Sequence, residues 1–126
     1  MSKILVVDDD RQIRAMLRQA LESAGFEVVE ASDGQEGVRS FQTASADLVI
    51  TDILMPEKEG LALIQELRRL DPAVQIIAIS GGSRHLPLDL LDIASRLGAR
   101  RVFWKPFDLV QLVASVREAL EHRRAA

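Results

Sequence analysis

Four acids, one hydroxyl and one lysine stand where short apolar runs of this 126-residue chain end. Ile4-Leu5-Val6-Val7 runs into Asp8, Asp9 and Asp10, and Asp47-Leu48-Val49-Ile50-Thr51 runs into Asp52. Ile76-Ile77-Ala78-Ile79 is followed by Ser80, and Val102-Phe103-Trp104 by Lys105. Short continuous apolar runs separated by helical patterns predict buried parallel strands. In such a sheet the residues just past the strands' carboxyl ends converge on one crevice. Carboxylates, a hydroxyl and an ammonium gathered there make a site for a divalent cation and a phosphoryl group.

The elements that must position these residues alternate strand and helix five times. Strands are predicted over 3–7, 27–31, a stretch ending at Asp52, 74–79 and 101–104. The first helix should cover about 11–24, with Ile13, Met16, Leu17, Ala20, Leu21 and Ala24 on one face and Gly25 as its stop. Asp33-Gly34 turns into a second helix that faces Val38 and Phe41 inward. The third follows Met55-Pro56, buries Leu61, Ile64, Leu67 and Leu70, and stops before Pro72. The fourth spans roughly 88–97 and is capped by Gly98. The fifth begins after Pro106 and buries Leu109, Leu112, Val113, Val116 and Leu120. This alternation implies an α/β fold, a parallel sheet with helices on both faces. One domain over 1–126 is expected, with a frayed tail over 121–126.

Bulk properties narrow the function. A net charge of −3 argues against a general nucleic-acid binder. Zero cysteines exclude disulfides and thiolate metal sites, in keeping with a reducing, cytoplasmic setting. The apolar start is too short for a signal peptide or a membrane span. His85 and His122 have no partner pattern and read as surface residues.

Taken together, the motifs resemble the receiver domain of two-component response regulators over nearly the whole chain. They are Asp8-Asp9, Asp52 with Met55-Pro56 and Gly60, Ser80, and Lys105-Pro106-Phe107, in order and each at its strand end. Each piece alone has a plainer reading: Asp-Asp as a turn or helix cap, Ser80 as a turn hydroxyl, Lys105-Pro106 as a helix start. The resemblance implies a doubly wound sheet in the order 2-1-3-4-5, shared with flavodoxin and the chemotaxis receivers. It implies that Asp52 is the phosphoacceptor, a carboxylate nucleophile that becomes an aspartyl phosphate. Mg²⁺ would be held by Asp9, Asp52 and the Leu54 carbonyl, with Asp8 holding a bound water, because Mg²⁺ prefers oxygen ligands and retained waters. Lys105 would contact the phosphoryl oxygens as a point charge. Ser80 would move inward to donate to them, drawing the loop after the fourth strand with it. The Lys105-Pro106 bond is expected to be cis, as is usual in the family.

Some positions depart from the family pattern. Where many receivers carry Tyr or Phe, three residues before the lysine, this chain has Val102. Phe103 and Trp104 bring aromatic bulk instead, either as a substitute switch or as core filler. The stretch Gly81-Gly82-Ser83-Arg84-His85-Leu86-Pro87 makes a long connection, expected to be the main moving part. Leu88, Leu90, Leu91, Ile93, Ala94 and Leu97 spread around the fourth helix, which either tucks under that loop or presents a sticky surface. Leu54 and Gly82 offer no group to position an attacking water, so slow dephosphorylation is expected.

The resemblance therefore implies a signalling switch, either stand-alone or a receiver taken from a longer regulator or hybrid kinase, part of a phosphorelay and not an enzyme acting on external substrates. Its donor would be a histidine kinase or a histidine phosphotransfer protein, docking near Asp10, Arg11, Arg14 and Pro106-Phe107. Its output would go to a protein partner, or a second copy, through the fourth helix, fifth strand and fifth helix, with no nucleic acid or membrane involved. Two other classes fail at single positions. An aspartyl phosphatase typically has a second Asp where Leu54 stands. A flavin-binding protein needs a Gly/Ser/Thr phosphate cradle where Asp8-Asp9-Asp10 would repel phosphate.

Overall fold

A computed structural model describes residues 2–53, 59–80 and 88–125. Its elements are β1 (Lys3–Val7), α1 (Arg11–Ser23), β2 (Glu27–Ala31), α2 (Gly34–Ala44), β3 (Leu48–Asp52), α3 (Glu59–Leu70), β4 (Gln75–Ser80), α4 (Leu88–Leu97), β5 (Ala99–Trp104) and α5 (Leu109–Ala125). The strands form one parallel sheet in the order β2-β1-β3-β4-β5. This is the topology the resemblance implied.

Alternation along the strands explains the two-faced core. Ile4, Val6, Leu48, Ile50, Ile77 and Ile79 point to one side, where they meet Leu17 and Leu21 of α1 and Leu112, Val116 and Leu120 of α5. Leu5, Val7, Val49, Ile76 and Ala78 point to the other, against Phe41 of α2, Leu63, Ile64 and Leu67 of α3 and Ala94 of α4. Strands buried on both faces need no polar alternation, hence their continuous apolar runs. The helices are started by side chains one can name. Asp10 accepts from the Gln12 and Ile13 amides to cap α1, and Asp33 accepts from the Glu36 amide to cap α2. Asp108 accepts from the Val110 amide at 2.8 Å to open α5. Gly25 ends α1 with φ of +95°, a conformation that suits glycine.

Several expectations are corrected. Met16 and Leu70 are not core residues: they are 36% and 44% exposed, because each lies at the edge of its helix's apolar stripe. β4 begins one residue later than predicted and includes Ser80, and β5 starts two residues earlier, at Ala99. The tail, expected to fray from residue 121, is described as helix. α5 continues to Ala125, and Arg123 ties it down by donating to the Ala73 carbonyl at 2.8 Å and the Asp71 carboxylate at 3.2 Å. Phe103, half-buried, packs against the α1/α5 core layer and meets Phe107 edge-on at 6.5 Å, whereas Trp104 is 41% exposed. Val102 is half-buried against the other layer.

Sequence periodicity places Leu67 and Leu70 on the same face of α3, but only Leu67 is fully buried. Leu67→Ala should therefore lower the unfolding free energy by about 2–5 kcal/mol. Leu70→Ala should change it by no more than about 0.5 kcal/mol. Urea denaturation of both variants checks this; equal losses would contradict the burial assigned to Leu70.

Candidate functional site

The site lies along the carboxyl edge of the central strands. Asp8 follows the last residue of β1, Asp52 closes β3, Ser80 closes β4 and Lys105 follows β5. In-register pairing fixes their mutual placement: Val7 stands opposite Thr51, Asp52 opposite Ile79, and Ser80 opposite Trp104. The chain leaving β5 is tied across the edge, the Lys105 amide donating to the Ser80 carbonyl at 2.8 Å. The Lys105-Pro106 bond is cis, as expected.

The Lys105 ammonium bridges two carboxylates, lying 2.8 Å from Asp8 Oδ2 and 3.2 Å from Asp52 Oδ2. Asp8 is wholly buried and Asp52 is 2% exposed. Asp9 adds a third carboxylate at the solvent side, and one oxygen from each of the three acids lies within 4.8 Å of the others. Asp10, the fourth acid in the sequence pattern, is occupied instead as the cap of α1.

Charge balance follows from this geometry. Burial pushes the Asp8 carboxyl above the ordinary aspartate value, and the nearby Asp52 charge adds to the shift. The hydrogen bonds from Lys105 and the Asp10 amide pull the other way without cancelling it. A raised carboxyl pKa means the fold loses stability as pH rises from the ordinary 3.8 through the shifted value. Burial disfavours the Lys105 charge too, but its hydrogen bond to Asp8 and the charges of Asp52 and Asp8 outweigh that, so its pKa is raised. Lys105 is thus a fixed cation between acids that one ammonium cannot neutralise.

The donor set suits a hard divalent cation. Three carboxylates with one oxygen each inside 4.8 Å of the others provide oxygen ligands and excess negative charge, with no sulfur or imidazole among them. Leu54, whose carbonyl was expected as a further ligand, lies outside the described residues, as do Met55-Pro56, Gly81–Pro87 and the side chains of Leu88, Leu90 and Leu91. Ser80 is fully buried, and its hydroxyl has no hydrogen-bond partner among the described residues. An unpaired buried hydroxyl is costly unless a ligand or a movement supplies a partner.

The match to known proteins is as direct as the geometry. The model of the response regulator receiver domain family matches residues 4–117. The chain belongs to this family. Among relatives of this receiver, the transcriptional regulatory protein CpxR of Klebsiella pneumoniae is 37% identical over 120 residues, which is 95% of this chain and 50% of that protein. The DNA-binding transcriptional regulator NtrC of Azospirillum brasilense is 39% identical over 117 residues, 93% of this chain and 24% of that protein. The receiver thus spans half or less of these two relatives' length. Among solved structures, a CheY-like receiver domain protein from Methanospirillum hungatei superposes with a TM-score of 0.91 at 28% identity, covering 99% of this chain and 98% of the other. A receiver domain protein from Clostridium thermocellum gives 0.90 at 32%. Receivers of this family are regulatory phosphoacceptor domains and not enzymes in the ordinary sense. No helix among the described residues is long and apolar enough to cross a membrane.

Three supports surround the site, and the first two, Arg14 and Glu30, carry no signature of that role in the sequence. Arg14 reaches back from α1 to the Asp8 carbonyl at 2.7 Å, and Glu30 of β2 holds Arg14 at 3.1 Å. The third is the approach of α3 to the acceptor strand. Gly60 was read as part of a motif, but its reason is steric: a Cβ there would overlap the Asp52 carbonyl oxygen and Ile53 Cα. Gly60→Ala should therefore displace the end of β3 and cost about 1–3 kcal/mol of stability. Thermal unfolding and a backbone NMR spectrum check this; an unchanged melting midpoint, with no shift at Asp52 and Ile53, would contradict it.

Proposed function

We propose that this receiver is a phosphorylation switch in which Asp52 takes a phosphoryl group from a phosphohistidine on a histidine kinase or histidine phosphotransfer protein. The observation that carries this reading is the Asp52 carboxylate, 2% exposed, held 3.2 Å from Lys105 and within 4.8 Å of the Asp8 and Asp9 carboxylates. An Asp52 oxygen attacks phosphorus, forming the O–P bond as the N–P bond of the donor breaks and the imidazole departs. Lys105, fixed by Asp8, remains protonated and stays within reach of the oxygens of the transferred group.

Asp8, Asp9 and Asp52 are the described residues that would hold Mg²⁺. When bound, it would offset the repulsion between a carboxylate nucleophile and an anionic phosphoryl group. Ser80 is the proposed responder. Its buried hydroxyl, without a hydrogen-bond partner among the described residues, would donate to a phosphoryl oxygen on the neighbouring strand end, and the connection after β4 would follow. The output face is α4, β5 and α5, where Ile93 and Trp104 are each 41% exposed and Val110 is 78% exposed, an apolar set suited to a protein partner.

Intact-mass measurement after incubation with acetyl phosphate and Mg²⁺ tests the acceptor. One phosphoryl adduct is expected on the wild type, none on Asp52→Asn, and none when Mg²⁺ is chelated. An adduct of equal yield on Asp52→Asn would overturn the assignment.

A further inference from the structure

We infer that Arg14 is a positioning residue for the cation and phosphoryl site, acting through the Asp8–Asp9 peptide; the inference rests on the reading of that site given above. The three acids are not equally held. The Asp8 carboxylate is fixed by Lys105 at 2.8 Å and by the Asp10 amide at 2.8 Å, and Asp52 is fixed by Lys105. Asp9 is exposed, and its carboxylate makes no hydrogen bond among the described residues. Where that carboxylate points therefore depends on the backbone that carries it.

Both peptide planes flanking Asp8 are tied. The Asp8 amide donates to the Ala31 carbonyl at 3.1 Å, which fixes the plane before it. Arg14 Nη1 donates to the Asp8 carbonyl at 2.7 Å, which fixes the plane after it. A peptide is rigid and planar, so holding the Asp8 oxygen also sets the Asp9 amide and the start of the Asp9 side chain. Without Arg14 that plane would lose its direct tether and be held only through the Asp10 amide beyond it, so the least-held ligand would gain freedom with it.

The guanidinium is itself immobilised. Its Nε donates to Glu30 Oε1 at 3.1 Å, and its side chain is only 16% exposed. The other oxygen of Glu30 lies 3.1 Å from Arg18 Nε, a charge contact with no aligned hydrogen bond. Arg18 is anchored in turn by donating to the Val28 carbonyl at 2.8 Å. A chain of contacts thus runs from β2 through Glu30 and Arg14 to the acidic loop. A planar fork that engages two acceptors in fixed directions is a task for arginine; a lysine reaches one acceptor without that directional constraint.

The test measures Mg²⁺ affinity by titration calorimetry, at a temperature far below each variant's melting midpoint. Wild type, Arg14→Ala, Arg14→Lys, Glu30→Gln and Asp52→Asn are compared, with adduct formation from acetyl phosphate read in parallel. Loss of a group that orients a metal ligand commonly weakens binding by one to two orders of magnitude, so Arg14→Ala should bind about 10-fold more weakly. Arg14→Lys should recover part of that loss. Glu30→Gln preserves shape and loosens the guanidinium, and should lose about threefold, the worth of one weakened hydrogen bond. It also provides the readout should Arg14→Ala fail to fold. Wild-type affinity in both Arg14→Ala and Glu30→Gln, or in Glu30→Gln alone if Arg14→Ala does not fold, would overturn the inference while leaving the site intact. Wild type that neither binds Mg²⁺ nor forms the adduct would overturn the reading of the site itself.

Discussion

The arrangement turns on one ammonium shared by two buried carboxylates. Lys105 satisfies Asp8 and Asp52 at once, and Asp9 adds a third negative charge within 4.8 Å of both. Buried like charges are unfavourable, and one lysine cannot cancel three acids. The site therefore carries a surplus of negative charge that favours a cation. The same surplus is what a bare carboxylate must overcome to approach an anionic phosphoryl group. On the proposed reading, a bound divalent ion would relieve both at once, offsetting the surplus and lowering the repulsion that the phosphoryl group meets.

The fold exists to hold that imbalance still. β1, β3 and β4 are buried on both faces, so their ends cannot drift without unpacking a core layer. The parallel register carries Asp8, Asp52, Ser80 and Lys105 to one edge. Gly60 lets α3 come against the backbone of Asp52 and Ile53 where any side chain would clash. Against this rigid set, the Ser80 hydroxyl is the exception, a buried polar group with its hydrogen-bonding capacity unused among the described residues. A stable scaffold whose functional edge holds a donor unsatisfied among the described residues is the kind of arrangement that couples a small chemical event to a larger movement.

Much of this was legible in the sequence because the chemistry sits at element ends. Apolar runs marked the strands, and the residue after each run was by construction at the edge. Periodicity was a weaker guide to depth. It set Met16 and Leu70 on the correct helices but counted both among the inward residues, because a period cannot tell the centre of a stripe from its rim. Contacts between residues far apart left no trace. Arg123 meets Asp71 across 52 positions, and nothing local announces that the tail will be held. The contact from Arg14 to a backbone carbonyl is equally silent, since a carbonyl has no residue type.

The claim of surplus charge is tested most directly by urea denaturation of wild type and Asp52→Asn at neutral pH in chelator. Removing one acid leaves Lys105 and Asp8 as a matched pair, so no charge is orphaned. At an effective dielectric of about 20, Asp52 gains roughly 5 kcal/mol from Lys105 at 3.2 Å and loses roughly 3.5 kcal/mol to each of the two other acids at 4.8 Å, a small net repulsion that water at the crevice mouth reduces further. Asp52→Asn is expected to be more stable than wild type by about 1 kcal/mol, and to lose most of the stabilisation that Mg²⁺ gives the wild type. A variant less stable than wild type in chelator would contradict the account, because Asp52 would then be a net stabilising partner of Lys105.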